Sequence, residues 1–306
     1  MSSLHSTQGK LPFTIAVVAP SGAPVDDIAV EHGLQVLAQR GFGVCSYYRP
    51  EQKMQRFGAS DAQRIEQIYA ASENPDVHVV MALRGSYGLS RLLPQLDFER
   101  LASSGKIFVG YSDFTPMHMG LLARGRSSLA GPMLCDDFTR EPLSDYAMTQ
   151  FEHCLFNHQH VIEFVDAASQ DVEVRGVLWG GNLAMLTHLL GTPYWAEVDQ
   201  GILFLEDIGE HPYRVERMLL QLHYAGVLAK QKAIVIGDFS GYKLALHDNG
   251  YDVNAMLDYV RSVVNVPVLT GLPFGHIRDR ATLVVGSHAH LRSVAGQASL
   301  SMEYAL

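Results

Sequence analysis

The segment Lys106-Ile107-Phe108-Val109-Gly110-Tyr111-Ser112-Asp113, followed by Phe114-Thr115-Pro116, decides the fold. Its apolar run has the length of a buried strand, and proline is favoured in the first turn of a helix. The segment therefore predicts a strand, a corner and a helix, with Ser112 at the corner. Ligands in α/β proteins bind beyond the carboxyl ends of strands. Ser112 is thus a candidate nucleophile, although serine and aspartate are also preferred helix caps, and the local pattern leaves both readings open.

The first 130 residues alternate between strand and helix patterns. Predicted strands cover residues 14–18, 43–48, 77–83 and 106–109, and predicted helices cover 26–40, 60–71, 98–103 and 116–124. This alternation predicts βαβ units and a parallel sheet with helices on its faces.

The chain is predicted to divide into three parts. Residues 1–137 form an N-terminal α/β domain that carries Ser112, and residues 138–171 form a linker with some helix. Residues 172–306 form a second domain of mixed α/β structure. The cleft between the two domains is the expected pocket, because small-molecule sites often lie between domains.

Composition excludes several classes of partner. The 306 residues carry a net charge of −9 without a lysine or arginine run, which argues against nucleic acid and against an anionic membrane surface. The apolar runs are too short to span a bilayer. Three widely spaced cysteines favour a reducing compartment. Lys10 and the apolar residues after it imitate a signal peptide, but residues 13–18 also fit a first core strand, which cleavage near Ala23 would remove.

A serine nucleophile needs a base and a group that orients the base. Glu206 directly follows the apolar run 201–205, so the core would position its carboxylate, whereas Asp207 and Glu210 fit a helix N-terminus. His276 lies in a turn rich in glycine and proline that could aim its imidazole into a cleft, but it is one of 14 histidines. From spacing alone, all these roles stay open.

Two glycine-containing segments follow strands and could approach a ligand closely: residues 84–88, Arg-Gly-Ser-Tyr-Gly, and residues 179–182, Trp-Gly-Gly-Asn. The simpler interpretation of Trp179 is a core residue. Residues 84–88 are neither a Walker loop nor a dinucleotide fingerprint, and the first βα turn, residues 19–24, contains no G-x-G-x-x-G motif. The chain also contains no H-E-x-x-H motif. The sequence therefore predicts neither a cofactor nor a catalytic metal.

Taken together, these segments resemble the LD-carboxypeptidases, the muramoyltetrapeptide carboxypeptidase family of serine peptidases, and most closely their cytoplasmic enterobacterial type. The resemblance runs from about Phe13 to Leu291 and rests on several motifs in the same order. They are Arg84-Gly85-Ser86-Tyr87-Gly88, Gly110-Tyr111-Ser112-Asp113, Trp179-Gly180-Gly181-Asn182, Leu205-Glu206-Asp207 and Phe274-Gly275-His276.

The resemblance implies a fold and a set of roles. It implies a flavodoxin-like or Rossmann-like parallel domain, a swivelling, barrel-like mixed domain, and an active site at their interface. It implies Ser112 as nucleophile, His276 as general base and acid, and Glu206 as the carboxylate that orients His276. The implied oxyanion hole consists of the backbone N–H groups of Asp113 and Gly85. The candidates for substrate binding are Arg84, Ser86, Trp179 and Asn182.

One position departs from the family pattern, because Ser86 stands where the family has a glycine. If its φ is positive, serine adds strain of about 1 kcal/mol.

The implied reaction releases the terminal D-alanine from murein tetrapeptide by cleaving its bond to meso-diaminopimelate, in the cytoplasm, during peptidoglycan recycling, by a homodimer. The substrate would be the free tetrapeptide or a sugar-linked muropeptide. A related peptidase that cleaves peptidyl or aminoacyl nucleotide antibiotics would share the same triad. A non-catalytic two-domain binding protein for a small molecule is the alternative from another class.

Overall fold

The computed structural model describes residues 13–306, which divide into two compact units. Unit 1 comprises residues 13–109 and Pro132–Leu143. Unit 2 comprises Gly110–Gly131 and Ser144–Leu306.

Unit 1 is built on four parallel strands, which lie in the order β2 (Gly43–Ser46), β1 (Thr14–Val18), β3 (Val79–Ala82) and β4 (Ile107–Gly110). Its elements are β1 (Thr14–Val18), α1 (Asp27–Gln39), β2 (Gly43–Ser46), α2 (Asp61–Glu73), β3 (Val79–Ala82), α3 (Phe98–Ser103) and β4 (Ile107–Gly110), whose last residue opens unit 2. Strand β1 lies between β2 and β3, so the segment that imitates a signal peptide includes a central strand. Lys10 itself lies outside the described residues.

The helices of unit 1 begin at residues with the expected chemistry. The Asp26 carboxylate accepts the backbone N–H of Ile28 at the start of α1. Ser60 and Gln63 form a reciprocal capping box at the start of α2. Such caps satisfy backbone donors that have no partner inside the helix, and each typically contributes about 1 kcal/mol.

Unit 2 contains a seven-stranded mixed sheet. Its strands lie in the order β10 (Val268–Leu269), β9 (Ala233–Ser240), β8 (Ile202–Ile208), β7 (Val172–Asn182), β12 (His288–Val294), β13 (Gln297–Glu303) and β6 (Gln159–Val165). Strands β7 to β10 pair in parallel, and the pairs β7–β12, β12–β13 and β13–β6 are antiparallel. Its elements are α4 (Thr115–Leu122), β5 (Ser128–Ala130), α5 (Asp145–Phe156), β6 (Gln159–Val165), β7 (Val172–Asn182), α6 (Leu183–Leu189), β8 (Ile202–Ile208), α7 (Pro212–Tyr224), β9 (Ala233–Ser240), α8 (Val253–Val263), β10 (Val268–Leu269), β11 (Leu283–Val285), β12 (His288–Val294) and β13 (Gln297–Glu303). Strand β11 pairs with β5 in antiparallel fashion.

The predicted fold class, a parallel-sheet part followed by a mixed α/β part, is confirmed by the two sheets. The details differ in the stretch predicted as a linker, residues 138–171, which contains α5 and strand β6. Strand β6 alternates exposed and buried residues along its length, as expected of a strand with one covered face. That alternation was hidden by polar residues such as His160, which is buried here.

The boundaries of the two compact units also differ from those of the predicted domains. The segment Gly110–Gly131, with Ser112 and α4, belongs to unit 2, whereas the sequence assigned it to the N-terminal domain. Helix α4 is buried over seven of its eight residues and packs against α6 and β7. The difference arises because α4 packs against elements of unit 2, and a local sequence pattern contains no information about such packing.

Candidate active site

Ser112 is separated from β4 by Tyr111 alone and lies at the start of a 3₁₀ turn, Ser112–Phe114, that leads into α4. Its φ of 60° falls in the left-handed region, which is costly for a residue with a side chain. Strain of this kind persists only where the surroundings enforce it, and it is concentrated at functional sites. The hydroxyl points to His276 rather than to the helix, with 3.0 Å between Oγ and Nε2. Its geometry is therefore that of a nucleophile rather than of a helix cap.

His276 connects the serine to the carboxylate. Its Nδ1 lies 2.7 Å from Oε2 of Glu206 and its Nε2 faces Ser112. An ionised carboxylate can only accept, so Nδ1 carries the proton and Nε2 presents a lone pair to the hydroxyl. This is the tautomer that a general base for Ser112 requires.

Glu206 is fully buried. Besides His276, it accepts a hydrogen bond from Nδ2 of Asn182 at 3.2 Å. Strand β8 continues to Ile208, past the point where the sequence predicted its end, and its pairing with β9 is irregular between Leu205 and Asp207. Such an irregularity re-aims side chains, and it leaves two consecutive carboxylates, Glu206 and Asp207, both buried.

Asp207 supports this arrangement and takes no part in the chain from serine to glutamate. Its Oδ1 accepts from Nδ2 of Asn182 at 3.0 Å, and its Oδ2 accepts from the backbone N–H of Ala184 at 2.9 Å. Burial, together with the charge of Glu206, raises the pKa of Asp207 to about 6. Asn182 thus holds both carboxylates at the start of α6.

Thr115 completes a closed ring of contacts around the site. Its hydroxyl donates to the carbonyl of Ser112 at 2.8 Å and accepts the backbone N–H of Asn182 at 3.0 Å. Gly181, with φ of 141°, permits this approach, because a Cβ there would lie 2.7 Å from the threonine Oγ1. Sequence reasoning missed Thr115, since a threonine at the start of a helix carries no catalytic signal. All of these residues belong to unit 2.

The geometry gives no support to substrate binding by Trp179 and Asn182. Trp179 is 1% exposed, donates its indole N–H to Oε1 of Gln231 at 2.8 Å and packs edge-on against Trp195. Asn182 is buried, and its side chain is bonded to Glu206, to Asp207 and to the N–H of Met185. Trp179 is thus a core residue, the simpler interpretation that the sequence left open.

The glycine-containing loop 84–88 lies in unit 1, after β3. Arg84 donates to the carbonyl of Ala23 at 2.8 Å. Ser86 has a φ of 76°, so the residue that departs from the family pattern does adopt the conformation that favours glycine. Its hydroxyl accepts from Arg56 at 2.9 Å. The roles predicted for Gly85 and Asp113 in an oxyanion hole stay predictions.

Within residues 13–306, no three or more histidine, cysteine, aspartate and glutamate side chains are grouped so as to hold a metal ion. None of the helices in this part of the chain is both long and apolar enough to cross a bilayer.

Two family models match the chain. The LD-carboxypeptidase N-terminal domain matches residues 15–131 and the LD-carboxypeptidase C-terminal domain matches residues 175–291. The chain belongs to the LD-carboxypeptidase family. A murein tetrapeptide carboxypeptidase of Pseudomonas aeruginosa is 29% identical over 272 residues, which cover 86% of this chain and 87% of that protein.

Solved structures of similar fold support the family assignment. The crystal structure of muramoyltetrapeptide carboxypeptidase from Oxalobacter formigenes is 50% identical, has a TM-score of 0.92 and covers 95% of this chain and 99% of its own. Membership of the family and this similarity make the chain a serine-type carboxypeptidase. The microcin C7 self immunity protein MccF in complex with aspartyl sulfamoyl adenosine has a TM-score of 0.85 over 96% of this chain and 97% of its own. At 23% identity it shows a shared fold alone.

Proposed function

We propose that this LD-carboxypeptidase releases the terminal D-alanine from murein tetrapeptide, with Ser112, His276 and Glu206 as its catalytic triad. The observation that carries the proposal is the continuous chain from Ser112 Oγ to His276 Nε2 at 3.0 Å and from His276 Nδ1 to Glu206 at 2.7 Å. The substrate class is supported by the relatives, whose names specify murein tetrapeptide and muramoyltetrapeptide.

In the acylation step, Oγ of Ser112 attacks the carbonyl carbon of the bond between the L-centre of meso-diaminopimelate and D-alanine. Nε2 of His276 takes the hydroxyl proton, and the buried charge of Glu206 stabilises the imidazolium that forms. We assign stabilisation of the tetrahedral oxyanion to the N–H groups of Asp113 and Gly85. Collapse of the intermediate breaks the C–N bond, and His276 gives its proton to the departing amine of D-alanine.

Deacylation repeats the same chemistry with water as the nucleophile. His276 takes a proton from the water, which attacks the acyl carbon, and the proton then returns to Ser112 as the tripeptide leaves. The strained φ of Ser112 favours this role, because a serine in the left-handed region keeps its hydroxyl at the corner, accessible to the imidazole.

The test is mass spectrometry of a purified disaccharide tetrapeptide and of the free tetrapeptide after incubation with the enzyme. We expect loss of one D-alanine from the tetrapeptides and none from a matched pentapeptide. Ser112→Ala should lower kcat by several orders of magnitude, since it removes the nucleophile. A wild-type rate in Ser112→Ala would reject the triad. Cleavage of an aminoacyl sulfamoyl adenosine in place of the tetrapeptide would reject the proposed substrate.

We further propose that the enzyme acts in the cytoplasm, in peptidoglycan recycling, and as a homodimer. Cell fractionation and light scattering of the purified protein test the location and the dimer separately from the chemistry.

A further inference from the structure

Arg280 places a buried charge beside the site without belonging to the triad. It is 2% exposed, although arginine is rarely buried unless its charge and donors are matched. Its Nη1 donates to the carbonyl of Gly275 at 2.6 Å, and its Cζ lies 3.8 Å from the centre of the Tyr111 ring. A guanidinium over an aromatic face at this distance is attracted by the electrons of the ring.

These two contacts fall on the residues that precede the nucleophile and the base. Tyr111 comes directly before Ser112, and Gly275 comes directly before His276. The Tyr111 ring also packs edge-on against the His276 imidazole, with 4.9 Å between ring centres. Arg280 therefore touches both chain segments whose spacing sets the distance from Ser112 to His276.

Both segments are held in unfavourable or unusual conformations. Ser112 has a φ of 60° and Gly275 a φ of 136°. At Gly275 a Cβ would lie 2.9 Å from Cβ of Asp238, so this turn is held against β9. Strained positions relax unless neighbouring groups restrain them, and a fixed, planar guanidinium is a suitable restraint.

We propose that Arg280 is a positioning residue, which holds Tyr111 and the Gly275 carbonyl so that Ser112 Oγ and His276 Nε2 stay within hydrogen-bond distance. The inference rests on the proposed triad. The contacts of Arg280 with the Gly275 carbonyl and the Tyr111 ring are with neighbours of the reacting residues. Arg280 acts through Tyr111 and Gly275, the residues that directly precede Ser112 and His276.

The proposal predicts a loss in kcat rather than in binding. A displacement of about 1 Å in a reacting pair costs about 100-fold in rate. We expect Arg280→Lys, which keeps the charge and loses the planar fork, to lower kcat about 10-fold, and Arg280→Met to lower it about 100-fold. KM should stay within about threefold in both, because an unchanged KM with a lower kcat indicates a loss restricted to the transition state.

The experiment measures kcat and KM for D-alanine release at a temperature where circular dichroism shows each variant folded. Arg278→Met is the matched control, since Arg278 is an exposed arginine two residues away, and its rate should stay within twofold of the wild type. Tyr111→Leu removes the ring. The double variant with Arg280→Met should be no slower than the worse of the two single variants, because both changes break the same contact.

Several results would overturn the inference. One is that the folded Arg280→Met variant keeps the wild-type kcat and shows only a lower unfolding temperature. This result would mean that Arg280 stabilises the fold and does not position the triad. Another is a raised KM at unchanged kcat, which would make Arg280 a substrate contact. If the Arg280 variants do not fold, Tyr111→Leu decides, and a kcat within twofold of wild type rejects the proposal. If Ser112→Ala is inactive while Arg280→Met is fully active, the triad stands and this inference alone fails.

Discussion

Replacing Glu206 by glutamine tests how the buried carboxylate controls His276. The carboxylate faces two donors, Nδ1–H of His276 at 2.7 Å and Nδ2–H of Asn182 at 3.2 Å. A glutamine amide of the same shape can accept from only one of them, because its other end is a donor.

Both orientations of the amide impair the base. With the NH₂ group toward His276, Nδ1 must accept, so the ring proton moves to Nε2 and no lone pair faces Ser112. With the amide oxygen toward His276, the tautomer is kept, but two donors meet at Asn182 and the imidazolium loses its counter-charge. We expect Glu206→Gln to lower kcat by about 10³-fold to 10⁴-fold, which is about 4 to 5 kcal/mol in activation free energy, with KM nearly unchanged.

Stability should change little or rise in the same variant. The amide N–H groups of Asn182 and of the new glutamine, which face each other without an acceptor, cost about 1 to 3 kcal/mol of unfolding free energy. Removing the buried charge of Glu206 recovers a desolvation penalty of several kcal/mol. The pKa of Asp207 should also fall, because the charge of Glu206 helps to raise it. A large loss of activity in a fully stable protein would therefore be a catalytic effect rather than unfolding.

The assay couples D-alanine release from the tetrapeptide to a D-amino-acid oxidase, with urea unfolding of the same samples. Glu210→Gln is the matched control, since Glu210 lies in the next turn and pairs with Arg214 at the surface, at 3.5 Å. Its rate should stay within twofold of wild type. A Glu206→Gln enzyme that keeps more than a fifth of the wild-type kcat would refute the role of Glu206.

Three further substitutions test other parts of the molecule. Thr115→Val leaves the buried N–H of Asn182 without its acceptor. We expect this variant to lose about 1 to 3 kcal/mol of unfolding free energy and about tenfold in kcat. Thr115→Ser keeps the hydroxyl, so its stability and its kcat should stay close to those of the wild type. Equal losses in both would exclude the hydrogen bond as the cause. Ser86→Gly should be about 1 kcal/mol more stable than Ser86→Ala in urea unfolding, because both lose the bond to Arg56 and only glycine relieves the φ of 76°. A more stable alanine variant would contradict this account. His118 is fully buried, and burial lowers its pKa to about 4 from the ordinary 6.5. The unfolded chain binds a proton below pH 6.5 that the folded protein refuses, so stability should fall by about 3 kcal/mol between pH 7 and pH 4 relative to His118→Gln. Parallel pH profiles of the two proteins would show that His118 does not contribute.

Some of the site could be predicted from local sequence because its signals are local. An apolar run followed by Gly110, a polar corner and Pro116 specifies a strand, a turn and a helix within a few residues. Glu206 directly follows an apolar strand pattern, His276 lies in a turn rich in glycine and proline, and both belong to motifs that resemble those of a known family. The predicted end of β8 was too early, since pairing with β9 continues beyond Leu205.

The remaining features depend on partners that are distant in the chain. Ser112 and His276 are 164 residues apart, and Thr115 and Asn182 are 67 apart. Strand periodicity and turn chemistry contain no information about such pairs.

The amino-acid sequence by itself therefore determined the alternation of strands and helices in the first 130 residues, the corner at Ser112 and the residue types from which a triad could be made. Tertiary structure alone decided that the serine hydroxyl faces His276, that Asn182 binds two carboxylates, and that Trp179 is a core residue. The physical reason is that burial and hydrogen bonding depend on which chain segments pack together. A side chain's role is set by those neighbours, and the same residue types in another packing would form caps and core.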